Sequence, residues 1–415
     1  MLTVYATSLA FMTYFCMFAF RKPFTVATYE GVSQAGTQID LKTALVLSQI
    51  IGYTLSKFIG IKVNSEMGRS YRAFAIVAAL TAAEVTLILF ALTPANWKMV
   101  PIFFNGLCLG VIWGLVVAYL EGRSTSEILL AGLSCSYIVA TGVVKDCGRW
   151  VLSWGVGESW MPALTGGPFL LLLFLVVYGL DKIPEPTPDD VRMRCRRAPM
   201  LSADRWRFFT RFGVGMITLV LFYCFLTAYR DFRDLYGQEI FTDLGYGDTP
   251  GIFSMTELPV AFGVMLALAL LNTVRNPRAG TAAVFGLLLV GMAIVGSATV
   301  LFDAGRIHGV TWMILTGLGG YLAYVPFGSV LFDRVIASTR FVGTAVFAIY
   351  VLDALGYTGS VLVQLYKDVF AAELTRLEFF RNYSYLMTTL GVVCSLGGCF
   401  YFDSKARARE KAARQ

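Results

Sequence analysis

The chain has 415 residues, of which 57% are hydrophobic and 15% charged, with a mean hydropathy of +0.66. Soluble domains carry about 25% charged residues, so this composition excludes a water-soluble enzyme, a secreted disulfide scaffold and a DNA-binding domain. The net charge of +7 does not imply a nucleic-acid partner, because the basic residues gather in a few loops and at the C-terminus, as membrane topology requires.

Twelve apolar segments follow in chain order, at about 2–28, 41–63, 73–93, 97–120, 127–153, 161–180, 208–234, 250–271, 280–302, 309–332, 341–366 and 383–402. Each is about 20 residues or longer, enough for a helix to cross a hydrocarbon core of roughly 30 Å. The predicted fold is an all-α membrane protein of twelve transmembrane helices in two pseudo-symmetric six-helix bundles. The first bundle covers 1–182, a cytoplasmic linker 183–207, the second bundle 208–402, and a basic cytoplasmic tail 403–415. The first segment lacks a charged leader region and a cleavage site and contains Arg21-Lys22, so it reads as a span and not as a signal peptide. With the N-terminus inside, the inner loops carry 21 lysines and arginines against 7 in the outer loops and the outer ends of the spans. That bias predicts both termini on the cytoplasmic side, and the expected location is a bacterial-type inner (plasma) membrane.

The linker contains Pro184, Pro186, Pro188 and the run Arg192-Met193-Arg194-Cys195-Arg196-Arg197. Prolines and like charges do not build a packed core. These charges either set topology or contact anionic membrane lipid. Seven of the eight cysteines lie in apolar runs, no C-x-x-C pair exists, and His308 is the only histidine, so no metal or cofactor is expected. Nucleotide-binding, hydrolase and metalloprotease motifs are absent, so the chain is not expected to be an enzyme, and any transport must run on gradients or exchange. The halves read as a repeat: Arg21 near the end of span 1 matches Arg230 near the end of span 7, offset by 209, and Glu121-Gly122-Arg123 matches Asp333-Arg334, offset by 212. Two such repeats are the pattern of six-plus-six transporters.

A charge at mid-membrane costs about 2.5–3.5 kcal/mol or more, so each one marks a functional candidate. Arg21, Lys57 and Arg230 fall on spans 1, 2 and 7, which line the central cavity of a six-plus-six bundle. Two guanidiniums from opposite halves suit a doubly charged anion, because each fork donates two parallel hydrogen bonds. The alternative is that they snorkel to the membrane surface. On span 5, Asp146 can reach Arg149 at i+3, and Lys145 shares a face with Arg149. This cluster is either a second anion-binding element or an internal salt bridge, and the same choice holds for Asp231 and Asp234 beside Arg230 and Arg233. Asp353, about 18 Å into span 11, and Glu257, two residues before Pro259, are candidate coupling acids or ion-pair partners of the cavity bases. Glu84 on span 3 has no obvious partner. Tyr53, Trp113, Tyr137, Tyr321 and Tyr324 fall on spans expected to face the cavity, either to orient a ligand or to pack the core.

With these residues in place, the chain resembles the major facilitator superfamily along its whole length. Gly60-Ile61-Lys62-Val63-Asn64-Ser65-Glu66-Met67-Gly68-Arg69 looks like a degenerate form of its loop signature, with Asn64 in place of the acid. Within the superfamily it looks most like the organophosphate:phosphate antiporters, the glycerol-3-phosphate and hexose-phosphate carriers. The stretches Phe20-Arg21-Lys22-Pro23-Phe24-Thr25-Val26-Ala27 and Gly52-Tyr53-Thr54-Leu55-Ser56-Lys57-Phe58-Ile59-Gly60 resemble their span-1 arginine and span-2 lysine motifs. Ala228-Tyr229-Arg230 falls where their span-7 arginine would fall. The resemblance implies that Arg21 and Arg230 bind phosphate and that Lys57 assists. Tyr137 stands where the family has a substrate-binding histidine.

The resulting expectation is a monomeric secondary transporter that moves a small organic anion of the phosphate-ester class by alternating access, with Arg21, Arg230 and Lys57 binding the anionic head. Tyr53, Tyr137, Lys145 and Arg149 join the substrate-binding set, and Asp353, Glu257 and Asp146 the coupling or gating set, with a proton or inorganic phosphate as coupling ion. Two alternatives stand beside it: a proton-coupled transporter of an unrelated solute, and a transport-inactive polytopic sensor or assembly factor with the same fold.

Overall fold

A computed structural model describes residues 2–29, 40–120, 123, 126–185, 187, 202–274, 276–332, 334–335 and 345–412. The core of the basic linker, including Arg192–Arg197, lies outside the described residues, as do Glu121, Gly122 and Asp333 of the second repeat match. Among the described residues ten helices are long and apolar enough to cross a membrane. The second and eleventh predicted spans are helices of 26 residues each, α2 (Leu41–Glu66) and α13 (Ala345–Phe370). The chain is an all-α integral membrane protein.

The remaining helices are α1 (Leu2–Ala19), α3 (Arg69–Leu92), α4 (Met99–Leu109), α5 (Ile112–Leu120), α6 (Ser126–Ser153), α7 (Met161–Asp181), α8 (Ser202–Leu235), α9 (Gly237–Asp243), α10 (Ile252–Asn272), α11 (Pro277–Asp303), α12 (Gly309–Ser329) and α14 (Arg376–Ala412). Four spans depart from their predicted shape. Span 1 stops at Ala19 and resumes as a 3-10 turn, Pro23–Val26, because Pro23 has no N–H to donate and its ring crowds the preceding turn. Span 4 is divided into α4 and α5 at Gly110-Val111. Span 7 begins at Ser202, so the C-terminal end of the predicted linker is helical, and span 12 continues through Ala412, so most of the predicted tail is helix.

The chain divides into two compact units. One comprises Met1–Arg192, Phe232–Leu258 and Val361–Leu377, the other Met193–Asp231, Pro259–Ser360 and Glu378–Gln415. Helices α8, α10, α13 and α14 therefore contribute residues to both, and α10 changes unit at Pro259, the proline inside it.

In the first unit α1 packs against α6 and α7, α2 against α4, and α3 against α4 and α7. Without water to drive association, membrane helices depend on close packing through small residues. On α2 and α4 this goes to the limit: a Cβ on Gly52 would lie 2.1 Å from the Phe103 carbonyl oxygen, and one on Gly106 2.1 Å from that of Gln49. In the second unit Gly291 and Gly319 do the same for α11 and α12, at 2.5 and 2.3 Å from each other's carbonyls. Gly106→Val should therefore force α2 and α4 apart and destabilise the protein by about 1–3 kcal/mol or more, read as a lowered melting temperature in detergent. Gly286→Val, with nothing within 4 Å of its Cβ position, should be nearly silent.

Candidate functional site

The end of α1 is fixed from several sides. Asn105 Nδ2 donates to the Phe20 carbonyl at 3.2 Å, and Gln49 Nε2 donates to the Arg21 carbonyl at 3.2 Å and to Asn105 Oδ1 at 2.8 Å. Beyond the 3-10 turn, Glu158 accepts the N–H groups of Thr28 and Tyr29 at 3.3 and 3.1 Å. Burial and the Glu158 carboxylate push the Tyr29 phenol well above its ordinary range. So anchored, Arg21 lays its guanidinium 3.9 Å from the centre of the Tyr53 ring, and Lys57, one turn on from Tyr53, brings its ammonium to 5.4 Å from the same ring. All three side chains are buried. The negative face of a ring attracts a desolvated cation by about 0.5–2 kcal/mol. The structure thus brings together Arg21, Tyr53 and Lys57. Tyr137 belongs to a row of rings: Trp113 lies 6.2 Å from it and 4.9 Å from Tyr14, and Tyr14 is 5.5 Å from Phe18, which in turn lies beneath Arg21 at 5.9 Å.

The span-5 cluster is a docking stripe. Gly142, Lys145, Asp146 and Arg149 repeat at the spacing that shares one helix face. A Cβ on Gly142 would touch the Phe253 carbonyl at 2.9 Å. Asp146 accepts the N–H groups of Phe253 and Ser254 at 3.3 and 2.7 Å, in the first turn of α10, where a carboxylate meets the positive end of the helix dipole. Arg149 donates to the carbonyls of Thr249, at 3.0 Å, and Gly247. Lys145 donates to Asp234 Oδ1 at 2.6 Å and to the Asp234 carbonyl, and Lys22 pairs with Asp234 Oδ2. The predicted reach of Asp146 to Arg149 is replaced by these tertiary contacts, because each group finds backbone partners in residues 247–254. The like charges of Lys145 and Arg149 are separated in the same way.

The two candidate coupling acids have the following partners. Glu257 accepts from Arg233 Nη1 at 2.6 Å. Asp353 accepts from the Tyr223 hydroxyl at 2.6 Å, and that hydroxyl also lies 3.1 Å from the Tyr324 hydroxyl. In the second unit Arg230 pairs with Asp231 at 2.6 Å and lies 4.2 Å from the centre of the Tyr324 ring. Arg230 and Asp353 are therefore joined through Tyr324 and Tyr223, whose rings stack at 5.3 Å. Glu84 is buried on α3, and its Oε2 has no hydrogen-bond partner among the described residues. A Cβ on Gly166 would lie 2.3 Å from that oxygen, so the glycine provides the space the carboxyl occupies.

Sequence reasoning missed Lys22, Tyr223, Gln49 and Asn105. Lys22 had a signal, its place between Arg21 and a proline at a helix end. The other three are uncharged, so insertion cost does not single them out. The Arg233–Glu257 pair yields a direct test. Both side chains are buried, so Arg233→Ala should lower stability by about 3–5 kcal/mol by stranding a carboxylate. Glu257→Gln in the Arg233→Ala background should recover part of that loss, measured by thermal unfolding as a double-mutant cycle.

No curated protein matches the sequence. Solved structures with the same fold are transporters. A D-xylose–proton symporter superposes with a TM-score of 0.62 at 15% identity, covering 95% of this chain and 96% of its own. The nucleoside transporter NupG gives 0.60 at 15% identity, covering 97% and 98%. A bacterial homologue of the human lysosomal transporter Spinster, in an inward-facing and unoccupied conformation, gives 0.58 at 14% identity, covering 98% and 97%. The chain has the major facilitator fold, and with a match over residues 23–405 it belongs to DUF5690, a family of unknown function.

Proposed function

We propose that the chain is a secondary transporter that moves an organic anion, of the class of phosphorylated small molecules, by alternating access. One observation carries this reading: each compact unit holds an arginine, Arg21 in one and Arg230 in the other, laid over a tyrosine ring at 3.9 and 4.2 Å, at sequence positions related by the repeat. The ring face balances the guanidinium's charge, and the planar fork matches the geometry of a phosphoryl oxygen pair. Each arginine is assigned to anion binding in its own unit, and Lys57, over the same ring as Arg21, adds a point charge.

The solved relatives carry a sugar with a proton, nucleosides or the solutes of a Spinster homologue, so the fold admits many solutes, and the choice of anion rests on these residues. A proton-coupled mode has one observation in its favour: the Asp353–Tyr223–Tyr324 chain ends on the ring beneath Arg230. Protonation of Asp353 would then alter how Arg230 is held.

A thermal-shift screen of phosphorylated metabolites on the purified chain tests the anion reading. Arg21→Ala and Arg230→Ala should each weaken the stabilising anion about tenfold or more, since a hydrogen bond to a charged group is worth about 1.5–3 kcal/mol. Arg21→Lys should also weaken it, because the bidentate geometry is lost. Stabilisation that survives both alanine variants would remove these residues from the site.

A further inference from the structure

We infer that Lys22 and Lys145 form a second anion-binding site, and that the carboxylate of Asp234 is its tethered occupant, displaced when a phosphate-type anion arrives. This deepens the transport reading above and rests on it for the identity of the incoming anion.

The geometry is that of a bound ligand. The two oxygens of Asp234 go to different ammoniums, Oδ2 to Lys22 at the end of α1 and Oδ1 to Lys145 on α6, the latter at 2.6 Å. The side chains of Lys22, Lys145 and Asp234 retain 4, 3 and 8% of their exposure, so the cradle is enclosed. Lys145 is further held 5.0 Å from the centre of the Phe253 ring, which positions the ammonium independently of the acid. Two ammoniums spaced to receive two oxygens of one carboxylate present the same donors to two oxygens of a phosphoryl group. A phosphate dianion brings two negative charges to two lysines, whereas the carboxylate brings one.

The placement of Asp234 supports exchange over a permanent tie. Lys22 follows Arg21 in the chain, so the cradle and the arginine share one segment at the end of α1. Asp234 lies one turn beyond Arg230 on the same face of α8. That helix belongs to the second unit through Asp231 and to the first from Phe232. A shift of α8 that follows Arg230 therefore also moves the carboxylate that fills the cradle. The acid thus acts as an internal competitor: the site is available only in the fraction of molecules from which Asp234 has withdrawn.

The test uses the full chain in detergent, with inorganic phosphate as probe, sulfate as a second dianion and chloride at matched ionic strength as control. Asp234→Asn removes the competitor's charge while keeping its size. Phosphate affinity, read from thermal stabilisation, should rise about tenfold or more as the occluded fraction is released, and Lys22→Gln or Lys145→Gln in that background should abolish the gain. Unchanged or weaker phosphate binding in Asp234→Asn overturns the inference and leaves an ordinary salt bridge. If Asp234→Asn does not fold, Lys22→Gln and Lys145→Gln are read alone. Each should weaken phosphate binding, and unchanged affinity in both overturns the inference. A gain in Asp234→Asn with no effect of Arg21→Ala or Arg230→Ala would retain the lysine site and reject the arginine reading.

Discussion

A cation that leaves water must be met by something negative or polarisable, and the described part of this molecule is organised around that requirement. Arg21 and Lys57 meet the face of Tyr53 and Arg230 that of Tyr324, Lys22 and Lys145 meet Asp234, Arg233 meets Glu257, and Arg149 meets two carbonyls. In a low-dielectric interior none of these groups is tolerated alone. The partners differ in kind: a carboxylate or carbonyl accepts hydrogen bonds from its cation, whereas a ring offers its negative face.

That difference sorts the buried bases into two kinds. Lys145, Arg149 and Arg233 meet carboxylates and carbonyls, and they tie α6, α8 and α10 together within the first unit. Arg21 and Arg230 lie over rings, Arg230 while paired with Asp231 at 2.6 Å, and the anchoring of Arg21 includes the hydrogen bonds to the backbone of its segment. The glycine crossings at Gly52, Gly106 and Gly110 are part of this anchoring. They bring α2 onto α4 closely enough for Gln49 and Asn105 to grip the last carbonyls of α1, which sets where Arg21 points. Packing made by residues with no side chain thus helps to place a buried guanidinium.

Much of this was legible in the sequence, and the limits have physical causes. Long uncharged runs announce helices because only helices satisfy their own backbone in lipid, so the spans were readable, while Pro23 and Gly110 altered two of them locally. Arg21 and Lys57 stood out as costly charges and Tyr53 as a ring on a span expected to face the cavity; the i,i+4 spacing of Tyr53 and Lys57 is what puts both on one face of α2. Partner choice was not legible. Asp146 caps N–H groups 107 and 108 residues away in sequence, a role that only the fold reveals, and Glu257 pairs with Arg233, 24 residues away. Insertion cost marks which residues need a partner; it does not say which partner the fold supplies.

The central claim is that a phosphorylated anion is the solute these arginines hold. The most direct measurement is counter-transport in proteoliposomes loaded with inorganic phosphate, with a labelled phosphate ester outside and the pH gradient set or collapsed. The account predicts exchange that depends on internal phosphate and persists without a pH gradient. Uptake that ignores internal phosphate and follows the pH gradient alone would contradict it.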